Sequence, residues 1–470
     1  MKQPHRIPIS PSLAPTLQRE GIHDRPLGDR RRILIVSSLA IVLAIAVGFT
    51  AIGLGHLIDL FTNLAFFGRL SFSEAHPAEA SLGPWLFAVT IAGGLLVGLL
   101  ARFGSPAIRG HGIPEAMERV LEHESRIPLR MTFLKPLSAA IAIGTGGPFG
   151  AEGPIIATGG ALGSVLGQLL PTSARERKAL LAAGAAAGMA ATFGTPVSAV
   201  LLAVELLLFE LSPRTLVPVA LAASVGTLIG MSSRGPEAVF AMDAIAAPGT
   251  EAFLCYLVLG GFVGLLSVGV TEAVYRVESW FERLPLHWAW WPALGAIVVA
   301  AAGLVVPRAL GVGYDNLRDL VHGAIAVGPL AMLITFKFIA WSVALGSGTS
   351  GGTLAPLFTF GGGVGALCGV ALAAALPSAG VDPRLAALVG MASMFAGASR
   401  ALLASILFAF ETTRQPLALM PLVGGTSMAF FVSSLLMRHS IMTRKIVARG
   451  VAVPTEYGPV PPDLSASSRP

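Results

Sequence analysis

A single carboxylate stands in a long apolar stretch. From Pro136 to Ser173 the only charged residue is Glu152, inside the glycine-rich break GTGGPFGAEGP. Pro154 follows it, in what reads as the first turn of a helix. Proline suits that turn because its missing N–H would have no helical partner. The unpaired N–H groups of such a helix start, with the positive end of the macrodipole, bind an anion without a cationic side chain. A carboxylate placed there competes for the same pocket. Ionised, it plugs the site; protonated or swung aside, it admits an anion. No Lys or Arg lies in the same stretch to make a structural ion pair, and intramembrane acids are costly and by default functional. A second break, GSGTSGGTLAP, carries Pro356 in the same way, and between Val321 and Val381 Lys337 is the only charge. Two such starts facing each other would hold an unhydrated anion. The alternative, glycines that serve only close helix packing, leaves the repeated proline and the lone carboxylate unexplained.

The elements that position these residues belong to a membrane. Of 470 residues 54% are hydrophobic and only 12% charged, and the mean hydropathy is +0.74; soluble domains carry about 25% charge. Apolar segments run over 33–66, 82–102, 132–170, 179–210, 215–231, 252–275, 288–306, 323–345, 354–376, 384–411 and 418–437. About 20 apolar residues cross a bilayer, so several are too long for one crossing and others are cut in mid-run. Broken, tilted helices are expected, with irregular backbone only where protein or a watery cavity satisfies it. Soluble enzymes, nucleic-acid modules and disulfide scaffolds are excluded. The two cysteines, Cys255 and Cys368, lie in apolar runs and build no disulfide or thiolate framework.

The net charge of +6 reads as topology rather than as a nucleic-acid partner. Arg30, Arg31 and Arg32 precede the first apolar run; Arg438, Arg444, Lys445 and Arg449 follow the last. Both termini are expected in the cytoplasm, as is the mixed-charge segment 102–135. Residues 1–32 read as a polar cytoplasmic tail without the apolar core of a signal peptide, and 451–470 as a disordered proline-rich cytoplasmic tail.

The chain repeats itself. Residues 135–167 lie on 337–369 at a constant offset of 202 with ten identities, among them Lys135/Lys337, Gly150/Gly352, Pro154/Pro356 and Gly159/Gly361; chance would give roughly three in a test for transporter-like symmetry. At offset 206 Gly184/Gly390 and Glu205/Glu411 also match. Two halves, approximately 33–231 and 250–450 of a transmembrane domain over 33–450, are expected in inverted topology. Paired breaks then mark a site near the midplane.

The motifs resemble those of the CLC chloride channels and proton-coupled anion exchangers. GAEGP at 150–154 is similar to that family's GxEGP motif, GHGIP at 110–114 to its GSGIP, and GGTLAP at 351–356 to its GxFxP region. The tail SIMTRKIVARG at 440–450 resembles its last pore-contacting helix. The resemblance implies an all-α polytopic membrane protein of tilted and broken helices in an inverted repeat, a homodimer with one anion path per subunit, and no CBS domains in so short a tail. Glu152 is by that resemblance the gate. The anion path would be lined by His111, Gly112, Ile113, Ala151, Gly153, Thr353, Leu354 and Met442.

Three positions depart from the pattern. His111 stands for the family's serine; it titrates near neutrality when unperturbed, attracts anions when protonated and, when neutral, has one N–H to donate to them. Met442 stands for an inner tyrosine and offers no hydroxyl. Leu206 stands for the inner glutamate of many exchangers and carries no proton, while Glu205 and Glu411 match a more structural acid. The expected function is transport of chloride or a similar monovalent anion, possibly with protons, across the cell (inner) membrane. Channel and exchanger readings both stand. The alternatives are a transporter of another anionic solute and, less well supported, an intramembrane enzyme. No metal-ligand spacing, nucleotide loop or cofactor motif is present. Lys135 and Lys337 read as packed and solvated, with snorkelling or neutralising helix ends as the alternative, and Glu115, Glu118, Arg119 and Glu122 are expected to form a solvated helix face.

Overall fold

The computed structural model describes residues 30–454. The expectations for most of both tails therefore lie outside the described residues. Arg32, assigned to the N-terminal tail, is inside the first helix and pairs with Glu176 at 2.6 Å. Val451, assigned to the C-terminal tail, is buried.

Eight helices make up the first half. They are α1 (Arg30–Phe67), α2 (Trp85–Phe103), α3 (Ile113–Glu122), α4 (Met131–Gly144), α5 (Glu152–Leu169), α6 (Ala174–Phe193), α7 (Pro196–Ala203) and α8 (Pro213–Arg234). Eight more repeat them in order: α9 (Thr250–Glu282), α10 (Trp291–Val305), α11 (Tyr314–His322), α12 (Val327–Gly346), α13 (Leu354–Ala375), α14 (Pro383–Ser399), α15 (Leu402–Thr413) and α16 (Leu419–Leu436). A short α17 (Arg444–Ala448) is the last helix among the described residues. Among the described residues eight helices are long and apolar enough to cross a membrane. At 1.5 Å per residue α1 is about 57 Å long, against a hydrocarbon core of about 30 Å, so it must lie tilted. Helices α3, α7 and α15 are too short to cross. Large apolar side chains such as Val42, Phe49, Phe103 and Val258 are exposed on the outer helices, as lipid-facing positions require.

The repeat is inverted. Gly150 and Gly352, equivalent at the offset of 202, form an antiparallel bridge with each other. An antiparallel pair of equivalent residues places the pseudo-twofold axis between them. A second reciprocal exchange joins the halves further out. Glu205, in a wide π-type turn that extends α7 over Val204–Leu208, accepts the N–H groups of Leu403 and Ala404, each at 2.9 Å. Glu411 accepts those of Val197 and Ser198 at 3.0 and 2.8 Å. Each acid caps the start of the other half's helix, where unpaired N–H groups and the dipole favour a carboxylate.

Within each half, glycine lets helices touch at the backbone. A Cβ on Gly159 would stand 2.3 Å from the Gly184 carbonyl, and one on Gly361 would stand 2.4 Å from that of Gly390. The α5–α6 and α13–α14 contacts are thus the same contact made twice. Close packing, the alternative reading of the glycines, operates here, beyond the breaks.

Candidate functional site

Three loop segments meet at the axis. The turn before α3 is bent by Gly110 and Gly112 at φ 85° and 94°, values that glycine reaches without strain. Gly110 pairs in a parallel bridge with Ser350, and Ser138 Oγ donates to Ser350 Oγ at 3.0 Å. A Cβ on Gly153 would stand 2.1 Å from the His111 carbonyl oxygen and 3.0 Å from Gly352 Cα. A Cβ on Gly112 would stand 2.7 Å from the Gly153 carbonyl. The GHGIP, GAEGP and GGTLAP segments are therefore in backbone contact, although their sequence positions span more than 200 residues.

Glu152 opens α5 and is fully buried. Its carboxylate folds across the Gly150–Gly352 bridge: a Cβ on Gly150 would lie 1.7 Å from Oε2 and one on Gly352 3.1 Å from it. The Ala355 amide, in the first turn of α13, lies beside the carboxylate. The Tyr314 hydroxyl donates to Oε1 at 3.0 Å. Oε2, His111 Nδ1 and Thr353 Oγ1 are buried with no protein partner. Buried polar atoms are nearly always hydrogen-bonded, so the Thr353 hydroxyl and the His111 ring are left with hydrogen-bonding capacity for a ligand.

The remaining expected residues take distinct places. Ala151, Gly153, Ile113 and Leu354 are buried around the junction. Met442 is also fully buried; its N–H donates to Ser440 Oγ at 3.2 Å, and the neighbouring Ile441 N–H donates to the Ala398 carbonyl at 2.9 Å. That turn leads into α17, which packs against α3. The Gly112 amide donates to Glu115 Oε2 at 2.7 Å. Gly112 thus serves the turn, and its N–H is already engaged rather than offered to an anion. Glu115 correspondingly folds back on the helix start instead of lying on the solvated face expected for it.

Lys135 and Lys337 do not snorkel. Both are buried, and each donates into the glycine turn of its own half. Lys135 Nζ donates to the Ile108 and Gly110 carbonyls, both at 2.8 Å. Lys337 Nζ donates to those of Ala309 and Gly311 at 3.3 and 3.1 Å. The turn Gly110-His111-Gly112-Ile113 therefore has a counterpart, Gly311-Val312-Gly313-Tyr314. The paired Gly-x-Gly spacing is the sequence signal that would have found it. Tyr314, bonded to Glu152, is the residue of this junction that sequence reasoning missed.

Ion pairs Arg32–Glu176, Arg177–Glu124 and Arg449–Glu118 lie on one face, the terminal face. From the opposite, distal face a cavity of about 490 Å³ reaches inward to Ala151 and Tyr314.

Fold and site together define a polytopic helical membrane protein whose inverted halves bring two helix starts to one buried carboxylate, an architecture of transport rather than of soluble chemistry. The chain belongs to the voltage gated chloride channel family, whose model matches residues 93–434. It is 29% identical to a putative chloride channel protein ClcB-like of Ralstonia nicotianae, over 80% of this chain and 88% of that protein. It is 30% identical to the H(+)/Cl(-) exchange transporter ClcA of Vibrio campbellii, over 75% and 77%. The crystal structure of a slow cyanobacterial Cl-/H+ antiporter superposes with a TM-score of 0.78 at 24% identity, covering 89% of this chain and 98% of that one. A CLC-type fluoride/proton antiporter superposes with a TM-score of 0.67 at 22% identity, covering 87% and 97%. The all-α fold of an integral membrane protein, expected from hydropathy and repeat, is the fold observed.

Proposed function

We propose that this protein transports chloride or a similar monovalent anion, with Glu152 as the gate. The single observation that carries the reading is the position of its carboxylate, beside the Ala355 amide at the start of α13 and over the Gly150–Gly352 bridge. A carboxylate is itself an anion, so it occupies the place that helix dipoles and backbone amides offer to one. When it accepts a proton or swings aside, a substrate anion takes that place, with His111, Thr353 and Leu354 on the path and Met442 toward the terminal face.

Proton coupling of the exchanger kind needs a second carrier below the gate. Leu206 is buried and apolar, and Glu205 is committed to two helix-start amides. Any proton passing inward from Glu152 goes by water or His111, which weights the reading toward uncoupled or loosely coupled conduction. The protein works as a transporter rather than an enzyme, in the inner membrane, with the arginine-rich terminal face in the cytoplasm. It works as a homodimer, the assembly that the motif resemblance implies.

Purified protein in liposomes, with anion efflux and proton movement recorded together, tests this. Chloride efflux with little accompanying proton flux is expected. Folded protein that moves no anion overturns the reading.

A further inference from the structure

Among the positions where a polar side chain in one half replaces an apolar one in the other, two meet. Glu152 is equivalent to Leu354 at the offset of 202, and Tyr314 occupies in its turn the place of Ile113. The Tyr314 hydroxyl donates to Glu152 Oε1 at 3.0 Å. Its ring is held edge-on by Phe193, at 5.5 Å between centroids, and lies tilted against Phe240 at 6.1 Å. The turn that carries it is pinned by Lys337 and by the Gly311 N–H, which donates to the Gly146 carbonyl at 3.1 Å. Hydroxyl, ring and turn are thus all fixed, and only the carboxylate has freedom to leave.

We infer that Tyr314 is a positioning residue, a latch that holds the ionised Glu152 in its blocking position from the distal side. The inference rests on Glu152 being the gate. An O–H donor bonds best to a carboxylate that carries charge, so the latch favours the blocking, ionised form over the protonated one. Without the hydroxyl, Glu152 takes up its proton at higher pH, and the gate opens at higher pH.

Other ionisable groups face the same cavity. His56 and Asp59 come from α1, Glu74 and His76 from the following loop, and Arg234 from α8. Arg308, Asp315 and Arg318 flank Tyr314, and Lys337 approaches from α12. Their contributions are separated from the latch by comparing variants in the presence and absence of the Glu152 carboxylate.

The test is chloride efflux from liposomes as a function of pH for the full chain, Tyr314→Phe, Glu152→Gln and the double variant. Tyr314→Phe should move the half-maximal point upward by about one pH unit, a tenfold change in the ratio of protonated to ionised gate. In the Glu152→Gln background the same substitution should change nothing. A Tyr314→Phe profile that overlays that of the parent overturns the latch. So does an equal effect in both backgrounds, because a merely structural tyrosine would act without the carboxylate. If Glu152→Gln itself leaves the pH profile intact, the gate assignment has failed instead.

Discussion

Gly150 and Gly352 exchange two backbone hydrogen bonds, 3.2 Å from the Gly150 amide and 2.9 Å from the Gly352 amide. They are equivalent residues of the two halves, so the bond that joins the halves lies on the axis that relates them. The Glu152 carboxylate, the proposed gate, lies directly over it. The on-axis bridge between the repeats and the centre of the proposed anion path are therefore one place, and substitutions there should separate folding from gating.

Gly352→Ala puts a methyl 2.5 Å from the Gly150 carbonyl and 3.0 Å from the Gly153 amide, atoms of a fixed backbone. Gly150→Ala meets the Glu152 carboxylate at 1.7 Å, the end of a side chain that can turn away. Gly352→Ala should cost about 1–3 kcal/mol, as overpacking does, and lower the melting temperature in detergent. Gly150→Ala should fold nearly as well yet displace the gate, raising anion efflux. Equal melting temperatures and equal fluxes for the two variants would contradict this geometry.

Replacing the gate carboxylate by a neutral isostere removes the competing charge and keeps the shape. Glu152→Gln should retain anion flux and lose its dependence on pH, read from efflux across a pH series. If the full response persists, the titrating group lies elsewhere, and His111 is the next to test.

His111 Nδ1 is buried without a protein partner, and a neutral imidazole has one N–H to donate. A serine hydroxyl is smaller and rotates to suit an anion. His111→Ser should tighten chloride binding measured by calorimetry; unchanged affinity would remove His111 from the anion path.

Glu205 and Glu411 make matching bonds, so their loss should cost matching amounts. Glu205→Gln and Glu411→Gln each weaken a charge-assisted helix cap and should each cost about 1–2 kcal/mol. Thermal unfolding in detergent measures this, and the pH profile of efflux should stay where it was. A selective loss of proton movement in Glu205→Gln would make that acid a carrier instead of a cap.

Much of this was legible in the sequence for a simple reason: membrane burial penalises charge, so each charge that remains in an apolar run is informative. Glu152 stood out by that rule, and Lys135 and Lys337 stood out as a repeated pair. What they bond to was not legible, because the carbonyls lie 25 to 28 residues away along the chain. Local sequence offers snorkelling, neutralised helix ends or packing with solvation; the fold turns both ammonium groups inward onto the glycine turns. Gly112 shows the same limit on a smaller scale, since its amide is taken by a glutamate three residues on.

By itself the sequence determined the all-helical membrane class, the two halves, the three glycine motifs and the lone acid among them. Composition and periodicity record how much apolar surface each segment must bury, and identity at a fixed offset records shared ancestry of form. Only the tertiary structure decided which atoms face one another across the axis. It put the Gly150–Gly352 bridge under the carboxylate, crossed Glu205 and Glu411 onto each other's helices, and brought Tyr314 to Glu152. Those pairings join residues 162 to 214 positions apart. No local preference encodes them; they follow from two halves packing in opposite senses around one axis.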